Sequence, residues 1–271
     1  MSLLFYAWSN WKLLLVIFPA IIGNFLLGQL IQNNRTRPRL ILGVVLNIGL
    51  LAVFKYFNFF YENVSMILGW KYNIIKIIMP AAISFYTFQQ IAFLVDCYRG
   101  VIIEKNIIRY IFFITFFPQL NQGPIVRHHE LVPQLEKSKI SHFDASNFSI
   151  GLMLLSMGLG KKVLIADQCA VWANAAFVAP QQVGFLGAWI GALSYTMQIY
   201  FDFSGYTDMA IGIGYFFNIR LPSNFNSPYK ATSFVDFWRR WHITLSHFLR
   251  DYLYIPLGGN RVGRIRQTIN I

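Results

Sequence analysis

Asp236-Phe237-Trp238-Arg239-Arg240-Trp241-His242-Ile243-Thr244-Leu245-Ser246 sets two arginines and a histidine between and beside two tryptophans in a very apolar chain. The run continues through Phe248-Leu249-Arg250-Asp251-Tyr252 to Ile255-Pro256-Leu257-Gly258-Gly259. Trp238, Trp241, Leu245, Phe248 and Tyr252 recur every three or four residues, the spacing of one helix face. Arg239, His242 or Ile243, Ser246 and Arg250 fall on a second, mostly polar stripe. Asp236 is a good N-cap, and Pro256 followed by Gly258-Gly259 is a stop signal, so the spacing predicts one helix between them. Such a helix either lies at a membrane interface or sits inside a bundle and presents His242 to a substrate.

Outward from this stretch, composition chooses between those settings. Charged residues are 13% of the 271-residue chain, half the roughly 25% of a soluble domain, and hydrophobic residues are 56%. The mean hydropathy is +0.47. The apolar residues come in blocks of helix length, which points to a multi-span membrane protein. The 17% of aromatic residues supplies interfacial belts, with the remainder left to line internal grooves. The net charge of +12 would also suit a nucleic-acid binder. Here the basic residues cluster between apolar blocks, where positive-inside loops and anionic headgroups account for them. No nucleic-acid motif is present, so the expected partner of the surface is the lipid bilayer. Cys97 and Cys169 have no metal-ligand spacing, and nothing in the sequence argues for a disulfide between them. Nor does the N-terminus read as a cleaved signal peptide.

The first span is predicted over residues 11 to 31, broken only by Pro19 and Asn24, and the second over 40 to 61. The third runs from 74 to 95, with Pro80 expected to kink it. Arg35, Arg37 and Arg39 fill the first loop, and Arg99, Lys105 and Arg109 the third; the second offers Lys71, with Lys76 just beyond. That asymmetry places the first and third loops in the cytoplasm. Residues 107 to 117 are too short for a full span and suit a tilted or re-entrant element. An interfacial helix is expected around residues 131 to 139. Residues 148 to 159 are apolar and are read as closed by Gly160-Lys161-Lys162, with Asp167 interrupting the next block, 163 to 178. Two further spans are predicted, 183 to 200 and 203 to 217. In the first, Gly184 with Ala188 and Gly187 with Gly191 permit close helix packing. The sum is roughly seven or eight membrane-embedded elements. The fold class is all-α, a polytopic transmembrane bundle with short, kinked and re-entrant helices.

His242 leads the candidates for chemistry, because an imidazole acts as a general base near neutral pH. The plainer reading is a histidine that anchors a helix at headgroup level. His247 is off that face, and His128 and His129 are read as solvent-facing in a polar loop. His242 and His247 lack the spacing of paired zinc ligands, so no metal is expected. Asp202 and Asp208 flank a Ser-Gly-Tyr-Thr core between apolar spans. Intramembrane carboxylates either serve function or pair, with Lys162, Arg239 and Arg240 as the candidate partners. Gly158-Leu159-Gly160-Lys161-Lys162 lacks the residue a P-loop needs after lysine, and Gly212-Ile213-Gly214 stands alone; both read as packing or turn glycines. Arg220 to Lys230, bounded by Pro222 and Pro228, reads as an ordered lid or vestibule wall.

Phe237-Trp238-Arg239-Arg240-Trp241-His242, Ser246 and Leu249-Arg250-Asp251-Tyr252 resemble the central motif of the membrane-bound O-acyltransferase family. Its bacterial alginate O-acetyltransferase branch is closer still. That branch is similar at Phe117-Pro118-Gln119-Leu120, Gly123-Pro124-Ile125-Val126-Arg127, Tyr200 to Asp208, Leu221-Pro222-Ser223-Asn224-Phe225 and Tyr252 to Arg261. The similarity covers nearly the whole chain. It implies a single membrane-embedded acyltransferase domain over 1–271 with an internal tunnel, in the plasma (inner) membrane of a bacterium. It implies transfer of an acetyl group from a cytoplasmic thioester, acetyl-CoA or another, with no tightly bound cofactor. The acceptor implied is an exported polysaccharide, reached through an extracytoplasmic partner of the SGNH-hydrolase type; relatives serve peptidoglycan or carry D-alanine for teichoic acids.

The resemblance places His242 as one of two family histidines. The second, in a Trp-His context further on, does not occur before Ile271. The chain is therefore expected to be incomplete at its C-terminus, and at its N-terminus, and to be inactive alone. Around His242, the supporting residues are Trp238, Arg239, Arg240, Trp241 and Ser246, with Asp202 and Asp208. Two other classes compete: a transporter or flippase, which the spans and intramembrane carboxylates also suit, and a non-catalytic scaffold that docks the partner.

Overall fold

The computed structural model describes residues 11–71, 77, 79–80, 82–120, 122–136 and 142–270. Every regular element among them is helical. Three helices are long and apolar enough to cross a membrane: Trp11–Asn33, Arg37–Leu68 and Ala145–Val178. Many of their apolar side chains face outward, although Ile17, Ile21 and Ile31 of the first are buried. Ile41, Val45, Ile48, Phe59 and Phe60 of the second are exposed, as expected where lipid is the solvent. The chain forms two compact units.

One unit comprises Met1–Asn121, Arg127–Val132 and Tyr252–Ile271. After a 3-10 turn at Trp11–Leu13 come α1 (Leu14–Asn33), α2 (Arg37–Leu68), α3 (Ile83–Arg99), α4 (Ile107–Thr115) and two single-turn helices, α5 (Phe117–Leu120) and α6 (His128–Leu131). Pro38 sits in the first turn of α2, where its missing N–H costs nothing, and Gly69 ends that helix in the left-handed conformation. Asn106 caps α4 by accepting from Ile108 and Arg109 N–H. The three longest helices pack on one another through buried amides. Asn47 Nδ2 donates to Asn24 Oδ1 at 2.6 Å, and Asn24 Nδ2 to Gln90 Oε1 at 3.1 Å. The polar break read at Asn24 is thus an interhelical clamp. The third span begins later than predicted, at Ile83, so Pro80 precedes the helix instead of kinking it. Residues 74–76, 78 and 81 of that span lie outside the described residues. The interfacial helix expected over 131 to 139 is only the turn α6 followed by a 3-10 turn, Val132–Glu136; residues 137–139 are outside the described set.

The other unit comprises Gln122–Val126 and Pro133–Asp251. Its helices are α7 (Ala145–Gly160), α8 (Asp167–Val178), α9 (Phe185–Phe216), α10 (Phe234–Arg240) and α11 (Ile243–Leu249). Asp144 caps α7 by accepting from Ser146 and Asn147 N–H. Gly160-Lys161-Lys162 does not close the helix. The chain passes through a π-helical segment, Lys161–Ala166, straight into α8. The two spans predicted over 183 to 217 are one 32-residue helix, α9. Both corrections share a cause: lysines and aspartates that look like breaks neutralise each other across α7–α8 and α9. Lys161 Nζ lies 2.5 Å from Asp208, and Lys162 Nζ lies 2.6 Å from Asp202 and 2.8 Å from Asp167. A Cβ added at Gly158 would lie 2.5 Å from the Gly205 carbonyl oxygen, and one at Gly151 would lie 2.6 Å from that of Gly212. Backbone therefore meets backbone at two levels, and Gly158 and Gly212 are packing glycines. Gly191 meets Ala176 of α8, whereas Gly184 faces open space.

Candidate active site around His242

The opening stretch is not one helix. Ser233, not Asp236, caps α10, accepting from Asp236 N–H, and α10 stops at Arg240. His242 then takes the left-handed conformation, φ 42° and ψ 55°, before α11 begins. A non-glycine residue held there costs on the order of 1–2 kcal/mol, so the surroundings must impose it. They do so from the loop at 224–226. In a continuous helix, Ile243 N–H would bond to Arg239 C=O and Thr244 N–H to Arg240 C=O. Instead Ile243 N–H donates to Asn224 C=O at 3.0 Å, and Asn226 N–H takes Arg240 C=O at 3.0 Å. Thr244 N–H goes to Asn224 Oδ1 at 3.3 Å. The loop between the two prolines is thus an ordered wall whose backbone replaces the missing helical bonds.

Aromatic rings enclose the break. The His242 ring meets Phe203 of α9 edge-on, with centroids 4.8 Å apart and an interplanar angle of 85°. Trp241 stacks on Phe237 at 5.7 Å and meets Phe225 edge-on at 5.1 Å. Within this setting His242 Nε2 is buried with no hydrogen-bond partner among the described residues. Burial pushes the imidazole down to about 4, so at neutral pH the ring is uncharged. A neutral imidazole nitrogen with no partner among the described residues has the capacity for one further hydrogen bond.

The remaining predicted residues divide clearly. Trp241 joins His242 in the aromatic enclosure, while Trp238 is half-exposed against Phe234 and Phe237. Ser246 Oγ donates to Trp238 C=O at 3.2 Å, tying α10 to α11. Arg240 Nε lies 3.0 Å from both Asp236 carboxylate oxygens, and Arg239 is exposed. Asp202 and Asp208 pair with lysines, as one of the two sequence readings had it, and not with either arginine. Phe203, Phe225, Asn224 and Thr244 were missed as site residues. All four lie in stretches the sequence singles out: Phe203 in the Tyr200–Asp208 motif, Asn224 and Phe225 in the two-proline loop, and Thr244 in the opening run.

His128 is not solvent-facing. It is 5% exposed, and its Nε2 lies 3.1 Å from Glu104 Oε2, with Phe93 and Phe113 against the ring. Burial lowers its pKa, and the Glu104 carboxylate opposes that shift. One apolar groove belongs to the first unit. It is about 420 Å³, lies between α1 and α2, and is lined by apolar side chains apart from Asn24 and Asn47, so it offers no reactive group.

A helical membrane protein with a broken, histidine-bearing segment in its second unit is the class this architecture defines. The MBOAT, membrane-bound O-acyltransferase family, matches residues 104–270, and the chain belongs to it. A peptidoglycan O-acetyltransferase of Helicobacter pylori is 45% identical, covering 96% of this chain and 55% of that protein. A probable alginate O-acetylase, AlgI, of Pseudomonas aeruginosa is 42% identical, covering 96% of this chain and 51% of that protein. A teichoic acid D-alanyltransferase of Bacillus subtilis is 31% identical over 64% of this chain and 44% of that protein. The chain spans about half the length of these curated relatives.

Proposed function

We propose that this chain is part of an O-acetyltransferase that moves an acetyl group from a cytoplasmic thioester, such as acetyl-CoA, towards the hydroxyls of an exported polysaccharide. The carrying observation is His242, whose buried Nε2 has no partner among the described residues at an enforced helix break in a chain of this family. The higher identity to the two acetyl-transferring relatives than to the D-alanyl one supports acetyl as the cargo. In this reading the His242 ring accepts the hydrogen bond of the attacking hydroxyl. A base held near 4 is a weak acceptor of a full proton, so its part is to orient that hydroxyl while a stronger base completes the transfer. The site opens into a tunnel through a multi-pass protein of the bacterial plasma membrane. The first and third loops face the cytoplasmic donor, and an extracytoplasmic SGNH-type partner receives the acetyl group.

The test is acetyl transfer by the complete protein in proteoliposomes, with and without that partner, supplied with labelled acetyl-CoA. Label appearing on an acceptor, dependent on the thioester and on His242, is the expected result. Substrate or ion flux with no acyl donor would instead identify a transporter.

A further inference from the structure

We propose that Asn224 Nδ2 is the hydrogen-bond donor that holds the acyl carbonyl beside His242, an inference that rests on the acyl-transfer reading above. Asn224 is fully buried, at 0% exposure. Its Oδ1 faces Thr244 N–H at 3.3 Å and Thr244 Oγ1 at 2.6 Å. A backbone N–H can only donate, so the amide atom facing it is the oxygen, which fixes the orientation of the side chain. The threonine hydroxyl has one proton. Its oxygen accepts Ile125 N–H at 3.0 Å, and its proton goes to Asn224. Hydrogen bonds thus run one way, from Ile125 through Thr244 to Asn224 Oδ1, and leave Nδ2 as the free end.

That Nδ2 is buried and has no hydrogen-bond partner among the described residues. Leaving such a donor unpaired costs about 1–3 kcal/mol, a cost a ligand would remove. Because the Asn224 carbonyl accepts from Ile243, the residue after His242, the two unpartnered groups belong to one local structure. Their chemistry differs. An amide nitrogen only donates, so its ligand must be an acceptor, and the carbonyl of a thioester is one. Two bonds accepted at Oδ1 polarise the amide and make its N–H a stronger donor.

In the transfer, the hydroxyl oxygen bonds to the carbonyl carbon, and the hydroxyl proton passes to a base. The carbonyl oxygen carries the negative charge until the carbon–sulfur bond breaks; the thiolate then leaves and takes up the proton. The donor at Nδ2 binds most tightly at the stage when the oxygen is charged.

Asn224→Asp tests this with little change of shape, since Oδ1 still accepts from Thr244 while an oxygen replaces the nitrogen. In the complete protein we expect acetyl transfer to fall by about 10²–10³-fold in kcat, the loss typical of one such donor, with the acetyl-CoA KM and the melting temperature nearly unchanged. The carbonyl stretch of a bound, 13C-labelled ketone analogue of acetyl-CoA should lie at low frequency in the wild type and rise in the variant. An unchanged kcat, or a carbonyl frequency the substitution does not move, overturns the inference. Should N224D fail to fold, the wild-type spectrum decides: a frequency matching that of the analogue in an apolar solvent overturns it, and a lowered one supports it. Wild-type protein that transfers no acetyl breaks the functional reading, and this inference with it. An active wild type with an equally active N224D breaks this inference alone.

Discussion

His128 and His242 are both shielded from water, yet their surroundings are opposite. His128 sits in the first turn of a short helix with ordinary backbone angles, and its Nε2 rests against the Glu104 carboxylate. Glu104 is itself tied in: its Oε1 accepts Asn106 N–H at 2.7 Å, and its backbone N–H donates to Gln32 at 3.1 Å. His242 has a strained backbone and, among the described residues, no carboxylate beside it and no partner for its buried nitrogen. A buried polar group that is fully paired stabilises one arrangement of helices. One left unpaired under strain persists because something else needs it. On the acyl-transfer reading proposed above, that contrast places His128 in the architecture and His242 in the chemistry.

The largest expected effect breaks that contrast if it fails. His242→Ala in the complete protein should cut acetyl transfer by about 10²-fold, the loss typical of a mispositioned reacting group, while the protein stays folded. His242→Gly should be as inactive, yet more stable than His242→Ala by about 1 kcal/mol, because glycine accepts the left-handed angles freely. The wild type should also show a pH signature. The imidazole titrates near 4 in the fold and at 6.5 unfolded, so its contribution to stability is complete above 6.5 and is lost as the pH falls towards 4. Thermal melts of wild type and His242→Ala between pH 7 and 4 should therefore converge in acid. A wild-type curve parallel to that of the variant would remove the buried neutral ring from the account.

The mirror experiment is His128→Ala. It removes the His128 hydrogen bond from the buried Glu104 carboxylate, which keeps Asn106 N–H, and should destabilise by about 1–3 kcal/mol, read as a drop in melting temperature. Protein that survives folding should keep its acetyl-CoA KM and most of its kcat. A stable but inactive H128A would put His128 in the site and collapse the distinction.

Lipid as the solvent was legible from 13% charged residues alone, and α1 and α2 appear close to where the apolar blocks put them. The family motif also pointed at His242. The break beside it was invisible. No glycine or proline lies between Asp236 and Ile255, and the period of Trp238, Trp241, Leu245 and Phe248 runs unbroken through it. The helix is interrupted by bonds from Asn224 and Asn226, residues outside the window in which periodicity is read. His128 differs from its sequence reading for the same reason: its loop is polar in sequence, and the carboxylate that pairs with it lies 24 positions away. Lys161-Lys162 and Asp202 to Asp208 each looked like the end of a span, because a charge in an apolar block signals a boundary unless its partner is known.

Helix packing gives a smaller and more local test. Gly158 of α7 faces the carbonyl of Gly205 on α9, an atom that cannot rotate out of the way. Gly158→Ala should push the helices apart and cost about 1–3 kcal/mol, whereas Gly184→Ala, with open space at its Cβ, should not lower the melting temperature.

Asp202→Asn should do least. Lys162 reaches both Asp202 at 2.6 Å and Asp167 at 2.8 Å, so losing one carboxylate leaves the ammonium paired. The lysine therefore keeps a carboxylate partner in the variant. The expected outcome is a melting temperature within a degree or two of wild type and unaltered acetyl transfer. Activity lost in D202N without loss of stability would show that Asp202 is used beyond its lysine. The contrast between paired and unpaired groups would then have failed at the residue where it predicts the smallest change.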